Sequence, residues 1–140
     1  ERIRRFLADS GVLHRVKMYN HVGDILDLLA ASDLCLLPAE SLYAKMDLPL
    51  VLLEALALGV PLVISDIPPL SELLVDEVGI GIPPKDPQAL AAGLKRLLKN
   101  PTRIKKLGET ARVTAKKRFD IQEVSRQYEN LYEELLANIQ

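Results

Sequence analysis

Short apolar runs without alternation recur along the chain as far as Ile82, and such runs predict parallel strands that are covered on both faces. Four runs fit this description: Val16 to Tyr19, Leu34 to Leu37, Leu62 to Ser65 and Gly79 to Ile82. Between them lie two segments with apolar residues at helical spacing, namely Ile25, Leu26, Leu28 and Leu29, then Leu50, Leu53, Leu56 and Ala57. Strand and helix therefore alternate, as in α/β domains built on a parallel sheet.

After Ile82 the pattern predicts three helices, and each has a recognisable start. Asp86 and Asn100 are each followed by proline, which combines a capping side chain with a favourable first helical residue. Asp120 with Glu123 resembles a capping box, and it opens a helix with the apolar stripe Ile121, Val124, Tyr128, Leu131, Leu135 and Ile139. We therefore expect a Rossmann-like, doubly wound sheet with additional helices at the C-terminal end.

Ligands of such sheets bind outside the carboxyl ends of the strands, so the relevant loops follow Tyr19, Leu37, Ser65 and Ile82. The segment after Leu37 is the most informative, because a long polar loop there leads into a helix. Pro49 is suited to the first turn of that helix. The N–H groups at positions 50–52 would then point towards any phosphate at the strand ends. The sequence thus predicts an anion site formed by the backbone.

Glu54 lies one turn into the same helix. A carboxylate there can accept two hydrogen bonds from vicinal hydroxyls, such as those of a ribose whose phosphate is held at the helix N-terminus. The alternative is a glutamate that caps the helix or forms a local salt bridge. Spacing alone leaves both interpretations open.

The bulk properties are those of one globular domain covering residues 1–140, with 49% hydrophobic and 26% charged residues. A formal net charge of −1 argues against a general affinity for nucleic acid. The basic run 116–118 closes a predicted helix, where its positive charges interact favourably with the negative end of the helix dipole. The alternative is that this run makes a peripheral contact with an anionic membrane. Cys35, the only cysteine, is expected to be a buried strand residue. No apolar signal segment follows the charged first residues, which is in keeping with a cytoplasmic protein.

Several further segments match one protein family in order and spacing. They are Ala31 to Leu34, Leu37-Pro38, Leu48 to Ala57, Gly59 to Val63, Glu72 to Asp76, Val78 to Gly81, Asp86-Pro87 and Ala89 to Ala91. On these residues the chain resembles the C-terminal, nucleotide-sugar-binding domain of retaining GT-B glycosyltransferases, the glycosyl transferases group 1 (family 4). The resemblance implies transfer of a hexose from a UDP- or GDP-sugar to an acceptor hydroxyl, with no cofactor and no metal.

The family carries two acidic residues separated by seven others. Glu54 matches the second, which binds the ribose, whereas the first position falls on Met46. Asp47 supplies the missing carboxylate if the loop is shifted by one residue, and Lys45 approaches the phosphates; alternatively, both are solvated loop charges. The catalytic residues implied are thus Glu54 and Asp47.

The resemblance also assigns nucleotide binding to a small set of residues. Donor binding is assigned to Asn20, beside the nucleobase, and to Lys45, Leu48, Pro49, Leu50, Val51 and Glu54. His21, in the same loop as Asn20, either borders the base or is a solvated histidine. Sequence spacing shows no histidine or cysteine arrangement typical of a metal site.

The resemblance further implies that residues 1–140 lack the first strand of the family's domain and the N-terminal domain that binds the acceptor sugar or lipid. We therefore expect the isolated chain to be inactive in transfer. Two other functions remain open at this stage. One is a non-catalytic domain that binds nucleotide sugars or a partner chain, supported by Met46 in the acidic position. The other is an epimerase of the same fold.

Overall fold

A parallel sheet lies at the centre of the computed structural model, which describes residues 1–42, 48–74 and 76–138. The strands are β1 (Cys35–Leu37), β2 (Leu62–Ser65) and β3 (Gly79–Ile82). The helices are α1 (Arg2–Asp9), α2 (Ile25–Ala30), α3 (Leu50–Leu58), α4 (Pro87–Leu98), α5 (Pro101–Phe119) and α6 (Ile121–Ala137). Short 3₁₀ turns cover Leu13–Arg15 and Leu70–Leu74. The predicted α/β class and the three C-terminal helices are confirmed.

The strand order is β1-β2-β3, and both pairs are parallel. Leu62 lies opposite Cys35 on one side and opposite Gly79 on the other, and all four residues of β2 are buried. A Cβ atom at Gly79 would collide with the backbone of Leu62. Glycine therefore permits the close approach of β3 to the central strand.

The predicted strand at Val16 to Tyr19 is wrong. Val16 has extended dihedral angles, φ −113° and ψ 121°, but residues 16–19 form no ladder with any strand in the described part of the chain. Val16, Met18 and Tyr19 are exposed, Tyr19 to 61%. An apolar run becomes a parallel strand only where a neighbouring backbone completes its hydrogen bonds and both faces are covered, and neither condition holds here.

Helices cover both faces of the sheet. On one face, Leu62 and Ile64 of β2 belong to a cluster with α3 and α5. On the other face, Val63 belongs to a cluster with Leu97 of α4 and with Leu107. Because successive residues of a strand point to opposite faces, the uninterrupted apolar run of β2 serves both clusters. This is the doubly wound arrangement that the sequence predicts.

The predicted starts of the last three helices are confirmed by their capping bonds. The Asp86 side chain accepts from the Ala89 N–H at 2.8 Å, and the Asn100 side chain accepts from the Arg103 N–H at 3.0 Å. At α6 the cap is Asp120 as expected, but its side chain accepts from the Gln122 N–H at 2.9 Å.

The capping-box partner predicted for Asp120 is wrong. The Glu123 carboxylate forms an ion pair with Arg126 in the next turn of the helix, so it is engaged along α6 rather than with the Asp120 backbone.

Four residues of the apolar stripe of α6 are exposed, namely Ile121, Tyr128, Leu131 and Leu135, and none of the residues of this helix is buried. Across the described residues, no helix combines the length and hydropathy required to cross a bilayer.

Helices α3 and α5 approach each other through two glycines. Gly59, with φ 78°, is the left-handed cap at the end of α3. A Cβ atom at Gly108 of α5 would collide with the carbonyl oxygen of Gly59. Small residues at this crossing therefore bring the backbones of the two helices into direct contact.

Candidate functional site

The loops that follow the three strands meet at one edge of the sheet. They form a groove of about 380 Å³ whose lining includes Glu40 after β1, Ser65 at the end of β2, and Lys85 and Asp86 after β3. Lys85 Nζ lies 3.6 Å from Glu40 Oε2, so an ion pair joins the loops after β1 and β3. Residues at or just beyond the ends of β1, β2 and β3, where three of the four loops named from the sequence begin, therefore share one groove.

The groove residues Glu40, Ser65 and Lys85 were not singled out from the sequence. Each is a polar residue at or just beyond the end of a strand, and that position is the signal by which they could have been found. Ser65 is only 2% exposed, whereas the Lys85 and Glu40 side chains are each 71% exposed. An ion pair as exposed as this contributes little to the free energy of unfolding. It does show that the loops after β1 and β3 lie close together at this edge of the sheet.

The N-terminus of α3 lies at the same edge, because α3 follows β1 and precedes the parallel strand β2 and must therefore run back against the strands. Pro49 has φ −61° and ψ 124° and immediately precedes the helix, rather than lying within its first turn. The Leu52 N–H is bonded to the Pro49 carbonyl at 3.0 Å. Because the Leu52 N–H is already bonded, only the N–H groups of Leu50 and Val51 remain for the predicted anion site. Leu48 and Pro49 lie immediately before them in the chain.

Glu54 is half-buried one turn further along α3. It lines a groove of about 500 Å³ between α3 and α5, together with Leu53, Ala57, Arg112, Ala115, Lys116, Phe119 and Asp120. No side chain caps the start of α3, and Glu54 takes part in no ion pair within the described ranges. The Glu54 carboxylate therefore borders a groove whose lining includes two cationic side chains, Arg112 and Lys116, and the aromatic ring of Phe119.

Asn20, another predicted site residue, lines neither of these grooves. Asn20 and His21 are exposed in the segment between residues 16–19 and α2. Lys45, Met46 and Asp47 lie outside the described residues. The structure thus brings together the start of α3 and Glu54 on one helix, and it leaves Asn20 on a separate segment.

A larger groove, about 630 Å³, lies at the opposite edge of the sheet, where the strands begin. Its lining includes Asp33, Pro61, Lys105, Glu109 and Arg112. Ligands of open parallel sheets bind at the carboxyl ends of the strands, where loops lead into helix N-termini. We therefore assign the candidate site to the carboxyl edge despite its smaller volume.

Cys35 is half-buried as the first residue of β1, and burial raises the pKa of its thiol. Only a small fraction of a thiol with a raised pKa is ionised at neutral pH, and the thiolate is the nucleophilic form, so Cys35 is poorly suited to act as a nucleophile. Within the described ranges, no group of three or more His, Cys, Asp and Glu residues is arranged to hold a metal ion.

Comparison with known proteins places the chain among glycosyltransferases. The family model described as glycosyl transferases group 1 matches residues 1–114. The MMP α-(1→4)-mannosyltransferase of Mycolicibacterium hassiacum is 32% identical over 139 residues, which is 96% of this chain and 33% of that protein. An exopolysaccharide phosphotransferase of Streptomyces coelicolor is 31% identical over 138 residues, 97% of this chain and 14% of that protein.

Among solved structures, sucrose-phosphate synthase from Thermosynechococcus elongatus superimposes with a TM-score of 0.80 and 28% identity. The match covers 98% of this chain and 34% of that one. The chain therefore has the fold of one half of a GT-B glycosyltransferase, and it spans between 14% and 34% of the length of these three relatives.

Proposed function

Because the chain belongs to the glycosyl transferases group 1 family, we propose that it is the domain that binds the nucleotide-sugar donor in a retaining hexosyltransferase. The donor is a UDP- or GDP-sugar, and the acceptor hydroxyl belongs to a sugar or lipid bound by another part of the full-length protein. The proposal rests on the start of α3 at the carboxyl edge of the sheet and on Glu54 one turn further along the same helix.

The diphosphate is held at the N-terminus of α3. Backbone N–H groups point out of that end, and the helix dipole there stabilises a negative charge by about 0.3–1 kcal/mol. Glu54 is four residues beyond Leu50, and at about 1.5 Å per residue it lies roughly 6 Å along the axis. That separation suits a carboxylate that accepts hydrogen bonds from both ribose hydroxyls while the phosphate rests at the helix end.

Transfer follows a front-face route. The bond from the anomeric carbon to the phosphate oxygen breaks, and a bond to the acceptor oxygen forms on the same face of the sugar. The acceptor proton passes to the departing diphosphate, so no side-chain nucleophile is needed. The domain contributes by positioning the donor and by stabilising the charge on the diphosphate. Asp47 is assigned to the transferred sugar and Lys45 to the phosphates, and no metal or cofactor is assigned.

A non-catalytic domain that binds nucleotide sugars is the second candidate. Met46 stands where the family has an acidic residue, and a thioether is a poor partner for a sugar hydroxyl. Both candidates require donor binding, and turnover by the full-length protein separates them.

Titration of the chain with UDP and GDP tests donor binding directly. We expect weak binding that perturbs backbone amide resonances between Leu48 and Glu54. Glu54→Gln should weaken this binding by roughly ten-fold or more, as expected for loss of charge-assisted hydrogen bonds. Glu109→Gln, in the groove at the opposite edge of the sheet, is the matched control and should bind like the unmodified chain. No binding at millimolar nucleotide, or equal losses in both variants, would contradict the proposal.

A further inference from the structure

Arg112 connects α5 to the end of α3. Its Nη2 donates a hydrogen bond of 2.8 Å to the carbonyl oxygen of Leu58, the last residue of α3. The last carbonyls of a helix have no partner within the helix. The Gly59 N–H bonds to the carbonyls of Ala55 and Leu56, whereas the Leu58 carbonyl receives the guanidinium. A cation at this end also interacts favourably with the helix dipole.

The position of this contact is set by the glycine crossing of α3 and α5. At Gly59, a Cβ atom would lie 3.1 Å from Arg112 Nη2 and 3.2 Å from the Gly108 carbonyl oxygen. The guanidinium therefore rests directly against the turn that ends α3. Among the described residues, no ion pair includes Arg112, so its partner in this structure is the α3 backbone rather than a carboxylate.

The opposite end of α3 carries the donor site proposed above. The helix has nine residues, about 13.5 Å at 1.5 Å per residue, and its backbone hydrogen bonds join these residues into one short unit. A shift or rotation at Leu58 is therefore transmitted to Leu50 and Glu54. Arg112 also lines the groove that contains Glu54, so the same side chain borders the carboxylate whose orientation depends on α3.

We propose that Arg112 is a positioning residue, which holds the C-terminal end of α3 and thereby sets the placement of its N-terminus and of Glu54 for the nucleotide. This inference rests on the proposed function, since it concerns the same donor site. A purely structural role for Arg112 would affect the stability of the chain and leave the geometry and affinity of the folded site unchanged.

The test compares Arg112→Met, Arg112→Lys and Lys105→Met with the unmodified chain. Lys105 is an exposed cation on the same helix, outside the Glu54 groove, and is the matched control. Amide chemical shifts and hydrogen exchange are measured for Leu50 to Glu54 in the nucleotide-free chain, well below the melting temperature. UDP affinity is then measured by titration of each variant.

We expect Arg112→Met to shift these amides, to accelerate the exchange of the hydrogen-bonded amides from Leu52 to Glu54, and to weaken UDP binding roughly three- to ten-fold. Arg112→Lys should recover most of the affinity, because an ammonium group can still donate to the Leu58 carbonyl, and Lys105→Met should change neither readout. If Arg112→Met does not fold, Arg112→Gln replaces it, since the shorter amide lacks the reach of the guanidinium.

A lower melting temperature with unchanged amides and unchanged UDP affinity would overturn the positioning role. Failure of the unmodified chain to bind UDP or GDP would instead refute the proposed function. In that event the amides of Leu50 to Glu54 still report on α3: a response to Arg112→Met supports positioning of the helix, and the absence of a response overturns it.

Discussion

Replacing Gly108 by alanine should destabilise the chain, although alanine is the better helix former. Gly108 lies within α5 with its Cα against the carbonyl of Gly59. The added methyl group would overlap that carbonyl oxygen and would lie 3.8 Å from Cδ of Pro61. A backbone oxygen cannot rotate out of the way as the end of a side chain can, so α5 must move away from α3.

Two opposing contributions set the magnitude. Alanine gains about 1 kcal/mol over glycine in a helix interior. Overpacking a well-packed contact typically costs about 1–3 kcal/mol and sometimes more. The cost should be about 2–4 kcal/mol here, because moving α5 also disturbs its buried residues Ala111 and Ala115, which pack in the α3 cluster. We expect a net loss of about 1–3 kcal/mol in the free energy of unfolding.

Thermal unfolding followed by circular dichroism measures this loss. For 140 residues, an unfolding entropy of about 2.1 cal/mol/K per residue converts it to a melting temperature lower by roughly 3–10 °C. Gly23→Ala is the matched control, because an added Cβ there meets nothing within 4 Å, and it should change stability by less than about 0.5 kcal/mol. A Gly108→Ala variant as stable as the unmodified chain would refute this description of the α3–α5 contact.

Two other predictions concern the site, and a third concerns Cys35. In a full-length parent protein, Glu54→Gln should lower kcat/KM roughly ten- to a hundred-fold, or about 1.5–3 kcal/mol, with little change in melting temperature; a large loss of stability with unchanged kinetics would indicate a structural role. Under the proposed function the acceptor is bound by another part of the full-length protein, so the chain alone should transfer no label from nucleotide sugars to a panel of acceptors, and product above a no-protein control would contradict this. Cys35 should react with thiol reagents more slowly than glutathione at neutral pH, since burial raises the pKa of its thiol, and the reaction rate should rise as the pH increases. A rate equal to that of glutathione would argue against a half-buried thiol at this position.

The local features of this chain were readable from the sequence by itself. The capping residues Asp86, Asn100 and Asp120 were identified correctly because a cap acts on N–H groups two or three residues away. The β2 strand was identified because burial on both faces leaves an uninterrupted apolar run. The candidate role of Glu54 came from its place at the start of a helix and from family resemblance, and it stays a prediction.

Only the tertiary structure decided which segments pair and which side chains meet. Residues 16–19 resemble β2 in having apolar side chains, with Lys17 among them, yet strand formation depends on a neighbouring backbone, which a local pattern does not encode. The ion pair between Glu40 and Lys85 and the bond from Arg112 to Leu58 join residues far apart in sequence. Such contacts depend on how strands and helices pack, and the packing depends on close approaches such as that of Gly59 and Gly108. A close approach of this kind produces no periodic pattern in the sequence, so it cannot be predicted from the sequence pattern.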